Sequence, residues 1–201
     1  MQSVAKEGTP ELVAELAESC VRFVEKALML RLDYTQNTLA ILDHYIERAR
    51  RERKTEVFGL IAPAAGAYFG EVVRRELGDG RWHCPSDDYN SWRLEFGRCF
   101  LHFNPIGVVL ESLVEDDDLT WNSHFQVLDA DRELVRSAVK HMGDTVRAED
   151  FYRLTLRLEV LEQIHAGLVR KAQTSNREAQ HFDHTVYDAV VTGRAPKTPA
   201  N

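Results

Sequence analysis

Cysteine is scarce in this chain: only Cys20, Cys84 and Cys99 occur. The odd count and the absence of C-x-x-C spacing exclude a disulfide framework and a zinc knuckle. Uninterrupted apolar stretches are short, and none reaches the roughly 18 residues of a membrane span. The N-terminus lacks a basic start leading into an apolar run, so no secretory signal is expected. The cytoplasm is the expected location. Basic residues are in deficit, with 25 Lys and Arg against 32 Asp and Glu and a formal charge of −7. A protein that follows phosphate backbones shows the opposite balance, so no nucleic-acid partner is expected. There is no G-x-x-x-x-G-K-[ST] loop, no G-x-G-x-x-G turn and no G-x-S-x-G elbow, which removes the common nucleotide and serine-hydrolase routes.

What is present is a set of helix patterns around one strand region. Thr9-Pro10-Glu11 is a helix start, and Leu12, Val13, Leu16, Cys20, Phe23, Val24 and Ala27 follow at helical spacing. A second helix is capped by Asp33 or Thr35 and runs to about Arg53. Its basic end, Arg48 to Lys54, reads as a solvated last turn that complements the helix dipole. A third helix spans Thr55 to Gly78 and contains Pro63, which should kink it. Gly59, Gly66 and Gly70 fall on one side of it. Glycine costs about 1 kcal/mol in a helix interior, so three on one side imply that another backbone packs closely there. This is the expected central helix.

The strongest local pattern is Trp92 to Phe103 around Gly97-Arg98. A two-residue Gly-X loop fits a type II′ hairpin. That register sets Phe96 opposite Cys99, Leu94 opposite Leu101 and Trp92 opposite Phe103, all on one apolar face. Arg93, Glu95, Phe100 and His102 share the other face. Arg81 to Cys84 is an additional candidate strand, and residues 119–128 are either loop or strand. Asn104-Pro105 opens a fourth helix, and Asp129 or Asp131 opens a fifth that ends at Gly143. From Ala148 to Ala172, Phe151, Leu154, Leu158, Leu161, His165, Leu168 and Ala172 form a heptad seam. A last helical segment runs from Arg177 to Val191. The fold class is therefore α+β and mostly helical: a small two- or three-stranded antiparallel meander packed on helices, with a C-terminal helical arm. Residues 9–128 are the expected core domain, 129–191 the helical hairpin or arm, and 192–201 a disordered tail.

Spacing limits the chemistry these residues can support. Glu162-x-x-His165 and Glu178-x-x-His181 mimic the paired motifs of di-iron bundles. A continuous helix separates them by about 24 Å; a reversal near Ser175 leaves Glu162 about 20 Å from the turn and Glu178 about 4 Å. Neither arrangement serves one metal, and His165 reads as a seam residue. His181-Phe-Asp-His184 offers two imidazoles one turn apart without a third or fourth ligand at known spacing. No metal or other cofactor is expected. His83 and Cys84, as strand neighbours, point to opposite faces, and Cys99 lies on the core face, so no cysteine nucleophile is expected. Tyr68, Glu71, Arg75 and Trp82 are the candidate ligand-binding residues, between the central helix and the hairpin. Their plainer role is core packing and surface pairing. Glu115, Asp116, Asp117, Asp118 and His165 are the candidate partner contacts.

The stretch Gly66-Ala-Tyr68-Phe-Gly70-Glu71-Val-Val-Arg-Arg75, then Gly80-Arg-Trp82, resembles a family of bacterial domains of unknown function. These carry a glycine-bearing helix ending in G-E-V-x-R before a strand that opens with Trp. Leu32-Asp33-Tyr34-Thr35 and Phe103-Asn-Pro105 are similar to the same set, and the likeness covers about residues 30–115. It implies an α+β core with helices on one side of a small meander, and no activity. The expected function is a non-enzymatic interaction or adaptor protein, binding another protein or a second copy through its C-terminal helices. A related version is an immunity-type inhibitor of a basic toxin. The rival is an enzyme or small-ligand binder built on Tyr68, Glu71, Arg75 and Trp82.

Overall fold

A computed structural model describes residues 8–52, 55–116, 119–143, 147, 150–174 and 181–193. The helices are α1 (Glu11–Leu28), α2 (Leu39–Arg51), α3 (Phe58–Leu77), α4 (Pro105–Val114), α5 (Arg132–Gly143), α6 (Leu154–Thr174) and α7 (His184–Val191). One antiparallel sheet has the order β1 (Gly80–His83), β2 (Arg93–Phe96), β3 (Leu101–Phe103) and β4 (Gln126–Val127). The fold is thus mostly helical with a small antiparallel meander, the class read from the sequence. The ambiguous stretch 119–128 divides into a short 3₁₀ turn, Leu119–Trp121, and the fourth strand.

The central helix is α3, buried on every side from Ile61 to Val73. Gly78 ends it in the left-handed region, with φ 80°, as a C-terminal glycine should. Close approach explains two of the three glycines. A Cβ on Gly66 would sit 2.5 Å from the Ile106 Cα, and one on Gly70 would sit 2.3 Å from the Trp82 ring. Gly59 faces open space, so the expected three-residue contact is a two-residue one. By length and composition Thr55–Leu77 could cross a membrane, but 72% of its apolar window is buried inside this fold.

Several helix ends differ from expectation. Pro10, not Thr9, flanks α1, because the Thr9 hydroxyl donates to Glu71 Oε2 at 3.1 Å. Asp33 accepts bonds from the Thr35 amide and from the Thr35 and Thr38 hydroxyls, which organises the turn before α2. Asn104 does cap α4, accepting from the Ile106 and Gly107 amides. Helix α6 starts at Leu154 rather than Ala148. Its first amides donate to Asp43 of α2, at 2.7 Å from Leu154 and 3.2 Å from Thr155.

The hairpin has a longer loop than expected. Leu94 faces Phe103 and Glu95 faces His102, a register two residues away from a Gly97-Arg98 turn. Gly97 does not take the positive φ that a II′ turn demands. The cause lies far along the chain. Phe100 leaves the ladder and stacks on Tyr187, ring centroids 4.4 Å apart. A shift of two preserves the faces, so Trp82, Leu94, Phe96, Leu101 and Phe103 still point to the core.

Residues 129–191 hold α5, α6 and α7. The α6 seam residues Leu154, Leu158, Leu161 and Leu168 are buried in the same core as α1, α3 and the sheet. Phe151 precedes the helix and is 39% exposed, so it is not part of that seam. Residues 175–180, where the last helical segment was expected to begin, and 194–201 of the expected tail lie outside the described residues.

Candidate functional site

The predicted ligand residues on α3 and β1 stand close together and turn toward protein partners. The Glu71 carboxylate is buried and accepts from Trp82 Nε1 at 2.9 Å, and from Arg74 Nε and Nη2 at 2.9 and 3.1 Å. Burial pushes this carboxyl up, but the bonds from Arg74 and Trp82 outweigh it and hold it below the usual range. The Tyr68 hydroxyl accepts from the Tyr34 amide and shares a bond with Thr38 Oγ1, both at 2.9 Å. The Arg75 guanidinium stacks 3.9 Å over the Tyr34 ring and reaches Glu71 Oε2 at 3.8 Å. Tyr68, Glu71, Arg75 and Trp82 therefore work as fasteners between α1, α3, β1 and the turn before α2.

The predicted partner contacts separate. His165 is buried, with Nε2 2.9 Å from Asp79 Oδ1. Burial raises the Asp79 carboxyl, but the His165 and Arg98 bonds prevail and bring it down to about 2. Glu115 is exposed and pairs with Arg50 at 3.0 Å. Asp116 is exposed; Asp117 and Asp118 lie outside the described residues. The thiols are poor nucleophiles: burial pushes Cys84 and Cys99 up to about 12, and Cys20 higher still.

The richest set of ionisable groups lies on the outer face of the sheet, beneath α7. Strand alternation sends Arg81 and His83 of β1, Arg93 and Glu95 of β2 and His102 of β3 to this face. Helix α7 covers it, started by Asp183, whose side chain accepts from the Val186 amide. The Tyr187 hydroxyl enters the mouth of the hairpin. It accepts from the Phe96 and Leu101 amides at 3.2 and 3.0 Å and lies 2.8 to 3.0 Å from the carbonyls of Phe96, Cys99 and Leu101. Phe96 and Leu101 would be the next pair of the β2–β3 ladder; both bond the phenol instead. Arg81 Nη2 also donates to the Phe182 carbonyl, and the Phe182 amide donates to Gly97 O at 3.0 Å.

Glu95 is the centre of this layer and has no exposed surface. Arg93 Nε meets its Oε1 at 2.6 Å. Its Oε2 lies 2.6 Å from His184 Nδ1 and 3.5 Å from Arg81 Nε. Neither contact has hydrogen-bond alignment, and Oε2 is left without such a partner. Asp188 pairs with Arg93 and lies 3.9 Å from His83 Nε2. The His83 and His184 rings are 5.1 Å apart. Burial, reinforced by Arg93, pushes His83 down and His102 down to about 4. An open cavity of about 920 Å³ adjoins, with Arg93, His102, Asn104 and Gln126 in its wall.

The sequence singled out His184 without finding its neighbours, since β1 and β2 supply them from some hundred residues upstream. His181, its expected companion, lies against Gly97 and 3.5 Å from Arg81. The alternation of β2 did place Arg93, Glu95 and His102 together. No local pattern announced Tyr187 or Asp188 as their cover.

A second feature is apolar. A cavity of about 310 Å³ opens between α1, α2 and the start of α3, lined by Phe23, Ala27, Tyr45, Ala49, Val57 and Leu60 among others. Leu60 is 67% exposed there. Arg48, at its edge, pairs with Glu52 and donates to Ala27 O.

No curated protein and no solved structure matches this chain. A family model described as a family of unknown function (DUF6278) matches residues 1–103. That range runs through α1, α2, α3 and the first three strands, and includes the Glu71–Trp82 fastener and all five of the ionisable strand residues under α7. With 103 of 201 residues matched, the chain belongs to the DUF6278 family.

Proposed function

We propose that this chain is a non-enzymatic interaction protein of the cytoplasm that receives an amphipathic helix of a partner protein in the α1–α2–α3 groove. The observation that carries this reading is the groove itself: an apolar trough walled by three helices, with Leu60 standing 67% exposed at its lip. Phe23 and Leu60 supply anchors of the kind that helix-in-groove recognition uses. The end of α2 adds a polar rim of mixed sign, where Arg48 and Glu52 form an ion pair at 3.1 Å. The engaged state of Glu71, Asp79 and Glu111, each held by cationic or polar neighbours, also favours binding over catalysis. Self-association through the α6 seam is not part of this reading, because those leucines already fill the chain's own core.

A photo-crosslinking amino acid at position 60, in the full chain expressed in its own cell, tests the reading. The expected product is a cross-link to a helical segment of one other protein. A peptide of that segment should then bind the purified chain, and Phe23→Asp should abolish binding. Cross-links confined to a second copy of the chain, or none above background, overturn it.

A further inference from the structure

We propose that His83, Glu95 and His184 form a site for a divalent transition-metal ion of the zinc class, which clamps α7 to the sheet. Each residue offers one ligand atom, and the three atoms lie within 4.8 Å of one another. They come from β1, β2 and the first residue of α7, so one ion would join three elements. The set of two imidazoles and one carboxylate is a ligand combination that zinc accepts. The second observation is Glu95 Oε2. It is buried, lacks a hydrogen-bond partner, and lies 2.6 Å from His184 Nδ1 and 3.5 Å from Arg81 Nε. Arg93 holds the other oxygen, Oε1, at 2.6 Å, which fixes the carboxylate's orientation as an outer-shell partner does. The same guanidinium holds Asp188, whose Oδ1 is 3.9 Å from His83 Nε2 and within reach as a fourth ligand.

Zinc–nitrogen and zinc–oxygen bonds of about 2.0–2.2 Å place neighbouring ligand atoms about 3.3 Å apart. His184 and Asp188 are the members that must adjust, and their side chains are 46% and 54% exposed. Charge decides which ions fit. The guanidiniums of Arg81 and Arg93 face the carboxylates of Glu95 and Asp188, so the site has no surplus negative charge. Calcium and magnesium, which need several anionic or carbonyl oxygens, are disfavoured. Ions that bind neutral imidazole are not.

The test uses the full, tag-free chain stripped of metal with a chelator, then titrated calorimetrically with zinc chloride and optically with cobalt chloride. One ion per chain is expected, with cobalt absorption of a four-coordinate nitrogen–oxygen site. Calcium and magnesium should give no heat. His184→Ala removes a half-exposed ring and leaves the fold intact; it and His83→Ala should each weaken zinc by at least about tenfold. Zinc should slow amide exchange in residues 184–191 of the wild type and leave His184→Ala unchanged. No saturable binding up to about 100 µM zinc, a binding free energy weaker than about −5.5 kcal/mol, overturns the proposal. So does zinc binding that survives in His184→Ala, or that disappears only in Cys84→Ser.

Discussion

The two faces of the small sheet are built from alternate residues of the same strands, yet they are held by different physics. On the inner face Trp82, Leu94, Phe96, Leu101 and Phe103 are removed from water in the main core, where Phe103 meets Phe69 of α3 and Phe96 meets His165 of α6. Their contribution is non-directional and follows the apolar area buried. On the outer face Arg81, His83, Arg93, Glu95 and His102 lie beneath α7, in a charged layer whose ion pairs centre on Glu95. A layer of that kind gains little from mere burial and depends on every member having its counterpart. The inner face should therefore set stability, and the outer face should set where α7 sits.

The sharpest break is expected on the inner side. Phe103→Ala removes a ring with no exposed surface and should cost about 3–5 kcal/mol of unfolding free energy, measured by urea denaturation. Next comes the hydroxyl at the hairpin mouth. Tyr187→Phe keeps the ring stack on Phe100 but strands the Phe96 and Leu101 amides. A loss of about 1–3 kcal/mol is expected, with faster amide exchange concentrated in α7 and the 97–100 loop. Equal protection there in wild type and mutant would show that α7 is held by apolar contact alone.

Acid should separate the two faces more gently. His102 has its folded pKa lowered from 6.5 to about 4. Below pH 6.5 the unfolded chain takes up a proton at this residue that the folded chain refuses. Its contribution is thus complete above pH 6.5 and lost progressively as the pH falls toward 4. His102→Asn should flatten the stability curve across that interval, while Phe103→Ala should lower the curve without changing its slope. The smallest effect belongs to the groove, remote from the sheet. Leu60→Glu should change stability by less than about 0.5 kcal/mol, so that any loss of partner binding is a surface effect.

What the sequence made legible was mostly local or periodic. The alternation of Trp92 to Phe103 sorted inner from outer residues correctly even though the loop length was wrong, because a shift of two preserves the faces. Gly78 and Asn104 marked helix ends through their own backbone and side-chain chemistry. The unread parts depend on distant partners. Phe100 left its strand for Tyr187, and α6 began only where Asp43 could receive its amides. Glu71 looked like one half of a surface pair with Arg75; the indole of Trp82, across a turn, makes it a buried anchor. The same limit hid the layer under α7. His184 carried no sign that His83 and Glu95 would meet it.

The Tyr187 hydroxyl also imposes an order of events on a growing polypeptide. The backbone groups it satisfies at Phe96 lie 91 residues upstream. While the ribosome is still adding those residues, the hairpin mouth must bond water or a chaperone, since its own ladder stops at Glu95 and His102. A nascent chain that stalls before this tyrosine emerges would display an unfinished strand end, a recognisable mark of incomplete synthesis.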